Sequence, residues 1–147
     1  MTPLVRRYIK TSFVFLLLGL ALGAYIVIGQ YVLGVHPPQL LATAHAHLLL
    51  VGFMLMMVMG VATWMFPRPA RDDARYRPEL AEAAYWVITI ATAIRASAEI
   101  IVALAGVPAL RWLIAVGGLG QVTGAALFAL NMWWRVRMPP TAAPGVR

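Results

Sequence analysis

The sequence contains no cysteine, and only five of its 147 residues are acidic. The lack of thiols excludes disulfides, iron–sulfur clusters and covalently attached c-type haem, so any haem or metal must be held by other side chains. Charged residues make up 12% of the chain against 62% hydrophobic, too few to clothe the surface of a soluble domain. Long polar stretches are missing as well, which leaves no room for a soluble domain between the apolar runs.

What is present instead is hydrocarbon. A bilayer core of ~30 Å is crossed by about 20 helical residues, and four apolar runs reach that length, at about residues 12–33, 41–66, 80–105 and 110–134. Backbone groups in lipid must bond within their own segment, so each run is predicted to be a helix. The expected fold is an all-α membrane protein with four transmembrane helices. It forms a single domain over residues 1–138, followed by a flexible tail at 139–147, "PPTAAPGVR". Arg6, Arg7 and Lys10 precede the first run as they would in a signal peptide. That run is too long for such a segment and has no small-x-small cleavage site before Gln30, so it reads as a retained helix.

The net charge of +7 falls on one side of this pattern. Arg6, Arg7 and Lys10 precede the first span, Arg68, Arg71, Arg75 and Arg77 lie between the second and third, and Arg135, Arg137 and Arg147 follow the fourth. The other two connections carry only Arg111. By the positive-inside rule both termini and the middle loop are expected in the cytoplasm, with the chain in a prokaryotic inner membrane. The basic charge thus reports topology rather than a nucleic-acid partner. Trp64, Tyr76, Tyr85, Trp133 and Trp134 are expected to form an aromatic belt at the cytoplasmic interface. Gly19 and Gly23, and Gly117, Gly118, Gly120 and Gly124, mark close helix contacts, either within one four-helix unit or between subunits.

Within the apolar runs the ionisable residues are His45, His47, Arg95 and Glu99, with Gln121 and Asn131 as polar companions. A charge at the bilayer centre costs at least ~2.5 kcal/mol, which makes each a candidate for function. From the span limits His45 and His47 lie roughly 6 to 10 Å below the outer boundary, Glu99 roughly 9 Å and Arg95 roughly 15 Å. Arg95 and Glu99, four residues apart, are placed to pair. At about 100° per residue His45 and His47 project about 200° apart, so they cannot readily chelate one ion. They serve two different sites, or one serves a site and the other packs. Ala44, Ala46 and Gly52 leave space beside them for something flat and large. His36, between the first two spans, reads as an interfacial residue. The methionines at 54, 56, 57, 59 and 65 raise the thought of copper, but their axial distance from the histidines favours packing.

The stretch "HAHLLLVGFMLMMVMGVATWMFPR", with "IRASAEIIVAL" and "LGQVTGAALFALNMWW", resembles small four-span relatives of the haem-copper oxidase and nitric oxide reductase catalytic subunit, and is similar to nitric-oxide-response haem/copper membrane proteins. The resemblance implies one four-helix arc of the three that build the large oxidase subunit. It also implies haem b ligated through the iron by His45 and His47, which match a His-x-His whose members reach two different haems. No other span carries a histidine, so the copper ligands of an oxidase active site have no counterpart here.

A homo-oligomer, a trimer favoured, would let His45 of one subunit and His47 of the next share a haem. In that arrangement Glu99 and Gln121 stand behind the ligands, and Arg95 or Arg111 meets the haem propionates. The expected function is haem b binding for electron transfer or for nitric oxide or oxygen handling, in a lipid bilayer and with a possible redox partner. Whether the chain is itself an enzyme is left open. The alternatives are a copper or other metal-binding protein using His45, His47 and Glu99, and a non-catalytic accessory subunit of a respiratory complex.

Overall fold

The computed structural model describes residues 1–67 and 77–137. The tail at 139–147 lies outside the described residues, as do Arg68, Arg71, Arg75 and Tyr76 of the middle connection, of which Arg77 is described. All the described elements are helical. Helix α1 spans Pro3–Tyr31, α2 spans Gln39–Met65, α3 spans Pro78–Ala105 and α4 spans Pro108–Trp133. Each is long and apolar enough to cross a membrane, which gives the chain the character of a multi-pass membrane protein. Leu17, Leu119, Val122 and Leu130 are more than half exposed, so apolar side chains clothe the outside where lipid would lie.

The helices begin earlier than their apolar runs because proline occupies the first turn of α1, α3 and α4, where its missing N–H removes no helical bond. In α1 the extra turns carry Arg6, Arg7 and Lys10, whose long stems can lie along apolar surface while the charges reach water. Gly106, at φ +63°, ends α3 in the left-handed conformation that glycine adopts without strain.

The four helices form a row in chain order: α1 packs on α2, α2 on α3, and α3 on α4, the last being the largest interface. Glycine sets how closely the rows approach. A β-carbon at Gly124 would stand 2.8 Å from Ile88 Cβ, and one at Gly117 would stand 2.6 Å from Arg95 Cβ. On the other side a β-carbon at Gly52 would stand 2.7 Å from Phe15 Cβ. Both glycine series therefore act within one chain, where close backbone approach substitutes van der Waals packing for the absent hydrophobic drive between helices in lipid.

The core is built from Tyr8 and Phe15 of α1, Leu48, Met56 and Met59 of α2, and Tyr85, Ile88 and Ala96 of α3. Met56 and Met59 are thus packing residues. Tyr85, expected in the interfacial belt, is only 5% exposed. Its ring meets Tyr8 edge-on at 5.0 Å, and its hydroxyl and that of Thr11 lie 2.8 Å apart. Trp64, Trp133 and Trp134 remain exposed.

Helix α2 changes its winding midway. From Leu48 to Leu55, directly after His47, it is a π-helix, with α-helix on both sides. The buried residues Leu48, Gly52 and Met56 are spaced by four through this stretch, consistent with the wider turn. Angular arguments at the α period do not carry across it.

Candidate functional site

Both histidines lie at the end of the bundle where α1 ends and α2 begins, called here the histidine end. They point to different neighbours. His45 faces α1: its ring covers Gly23, where a β-carbon would stand 2.6 Å from Cε1, and its Nδ1 donates to the Gly19 carbonyl at 2.8 Å. His47 faces α3, with Nδ1 donating to the Thr43 carbonyl one turn earlier at 2.8 Å and lying 3.5 Å from Glu99 Oε2. The divergence of two residues two apart on a helix is thus realised between α1 and α3 of the same chain.

The carbonyls assign the tautomers. A carbonyl oxygen only accepts, so Nδ1 carries the hydrogen in both rings, and in the neutral imidazole Nε2 holds the lone pair. Neither Nε2 has a hydrogen-bond partner among the described residues, and neither is among the sealed, unpartnered side-chain atoms there, which are Tyr8 Oη, Thr89 Oγ1 and Glu99 Oε2. Both rings are half-buried. A metal-ligating histidine characteristically anchors its other ring nitrogen on a carbonyl or carboxylate, which fixes ring orientation and raises ligand basicity.

Behind His47 lies a polar chain running across α3 to α4. Glu99 is fully buried, and its Oε1 accepts from Arg95 Nε at 3.1 Å. Arg95 Nη1 donates to Gln121 Oε1 at 3.2 Å, and Gln121 Nε2 donates to Thr92 Oγ1 at 3.2 Å. Glu99 Oε2 has no hydrogen bond, with the His47 ring the nearest ionisable partner. Gln121 therefore braces Arg95 rather than a histidine. Thr92 escaped the sequence reading, although its positions relative to Arg95 and Glu99, i, i+3 and i+7, are the signal of a shared helix face.

Arg111 lies on α4 beside a groove that Arg95 also lines, and none of the three histidines lines that groove. His36 is exposed in the α1–α2 connection. No group of three or more His, Cys, Asp or Glu side chains able to hold a bare metal ion is assembled among the described residues. At the opposite end, Asn131 donates to the Arg77 carbonyl at 3.1 Å. Arg135 is buried there, donating to the carbonyls of Thr63, Phe66 and Pro67 at the close of α2. It caps that helix where a cation suits the dipole, a role its place among flanking charges did not reveal.

No protein-family model, curated protein or solved structure matches the chain.

Proposed function

We propose that the chain is a haem b-binding membrane protein that serves electron transfer or nitric oxide or oxygen handling, with His45 and His47 as axial ligands. One observation carries this reading: each histidine fixes Nδ1 on a backbone carbonyl, and its Nε2 has no hydrogen-bond partner among the described residues and is not sealed. That is the tautomer an iron ligand needs. On this reading one chain would supply one ligand to each of two haems. A second copy completes each site, and a closed trimer does so with every subunit equivalent.

When bound, the haem supplies a one-electron couple or, with an open axial position, a place for a diatomic gas. The chain's own residues do the rest. Gly19 and Thr43 carbonyls hold the rings in orientation, and Glu99 sets a carboxylate oxygen 3.5 Å from His47 Nδ1. The positive residues Arg6, Arg7 and Lys10 at the termini end support a cytoplasmic position for it; on this reading the histidines lie toward the outer face of a prokaryotic inner membrane.

The test is a visible spectrum of the purified protein, oxidised and reduced, with its mass in detergent. Haem bands that fall by at least half in His45→Ala and in His47→Ala are expected, together with a mass above that of the monomer. Absence of haem absorbance, or full retention in both variants, refutes the reading. Carbon monoxide then separates its two branches: an unchanged reduced spectrum means two histidines on the iron and electron transfer, and a shifted one means gas chemistry.

A structural role for the histidines, as in an accessory subunit, is favoured by a different observation: the His45 bond to Gly19 ties α1 to α2. It predicts that His45→Asn, which can donate to the same carbonyl, keeps the function that His45→Ala loses.

A further inference from the structure

The groove beside Arg95 and Arg111 has a volume of about 860 Å³ and opens on the α3–α4 face at the histidine end. Its walls are apolar apart from the two guanidinium groups, with Ile114, Leu119 and Val122 descending α4 from Arg111. From Arg111 to Val122 the helix advances about 17 Å at 1.5 Å per residue, close to half of a ~30 Å hydrocarbon core. The groove therefore has the length of one leaflet, with a cation at its outer lip.

Its charge is unbalanced. Arg95 shares its Nε with Glu99 and its Nη1 with Gln121, while Nη2 makes no hydrogen bond among the described residues. Arg111 is exposed and has no ion pair or hydrogen bond among the described residues. It also opens the α-helical part of α4, whose first turn holds no acidic residue. A cation there adds to the positive end of the helix dipole, an arrangement that an anion relieves. Gly118 contributes space: a β-carbon on it would stand 2.9 Å from Arg95 Nη1, so the guanidinium lies against bare backbone.

We propose that this groove binds one anionic phospholipid from the leaflet at the histidine end. Arg111 and the α4 N-terminus hold its phosphate, the free Nη2 of Arg95 donates to ester oxygens below, and one acyl chain lies along Ile114, Leu119 and Val122. A lipid fits better than a haem edge, since no histidine lines the groove, and better than a free anion, since the walls below Arg111 are apolar. The site is independent of the haem reading.

Native mass spectrometry of the full chain in neutral detergent tests this with phosphatidylglycerol, phosphatidylcholine and inorganic phosphate as separate probes. Phosphatidylglycerol is expected to bind about tenfold more tightly than phosphatidylcholine. That preference should vanish in Arg111→Gln and weaken in Gly118→Ala, which moves only the flexible end of Arg95, and should persist in Arg77→Gln at the other end of the bundle. Equal binding of the two lipids, a preference retained in Arg111→Gln, or displacement of the lipid by millimolar phosphate overturns the proposal. Loss of haem from Arg111→Gln with the lipid preference intact does so too, by giving the groove to haem.

Discussion

Replacing Glu99 by leucine removes the carboxylate that sits between Arg95 and His47 while keeping much of its volume. Arg95 would then face an apolar interior with Gln121 as its remaining acceptor. Breaking one partner of a buried ion pair costs about 3–5 kcal/mol, and because the Arg95 side chain is 23% exposed the lower end, about 3 kcal/mol, applies here. That is roughly a hundredfold change in the ratio of folded to unfolded chain. The reverse change, Arg95→Met, strands a carboxyl group that is 0% exposed, so its cost lies toward about 5 kcal/mol.

The double variant leaves no uncompensated charge and is expected within about 1 kcal/mol of the parent. The coupling energy of the cycle should therefore be several kcal/mol, well above the ~0.5 kcal/mol within which independent sites add. Denaturant titration in mixed micelles, followed by the fluorescence of the five tryptophans, measures all four proteins. If the two single costs add in the double variant, Arg95 and Glu99 are independently solvated, and the account of a closed polar chain from His47 to Thr92 is wrong.

Arg135→Ala removes the donors to the Thr63 carbonyl in the last turn of α2 and to the Phe66 and Pro67 carbonyls just after it and should cost about 2–3 kcal/mol, with faster hydrogen exchange confined to the last turn of α2. Unchanged exchange there contradicts the capping role. Gly23→Val puts a branched side chain where His45 Cε1 lies 2.6 Å from a β-carbon. It should displace the ring, destabilise by about 1–3 kcal/mol and, on the haem reading, lower haem content as His45→Ala does; Gly29→Ala, whose nearest neighbour would be at 3.4 Å, serves as the tolerant control. Tyr85→Phe loses the 2.8 Å contact with Thr11 and should cost about 1 kcal/mol, whereas a belt residue at the interface would tolerate the change.

The number of the spans, the pairing of Arg95 with Glu99, and the divergence of His45 and His47 were all legible along the chain, whereas the start of α1 was not. Each depends on local regularity: twenty apolar residues must be a helix in lipid, and residues four or two apart take fixed angles on it. What the histidines and glycines face was not legible, because a helix period states that two residues diverge and says nothing of which helix stands on either side. Only the packing of α1, α2 and α3 brought Gly23 under His45 and Glu99 beside His47. Tyr85 and Arg135 illustrate the same limit. Both have the composition of a membrane interface, yet a hydroxyl on α1 and the open carbonyls at the end of α2 draw them inside. The π-helix after His47 likewise breaks the period on which sequence phase relies. The sequence by itself determined that this chain is four apolar helices carrying two back-to-back histidines. The tertiary structure decided that the His45 Nδ1 is spent on the Gly19 carbonyl of α1, while the His47 bond to Thr43 lies within α2, since a hydrogen bond to another helix exists only once the helices meet.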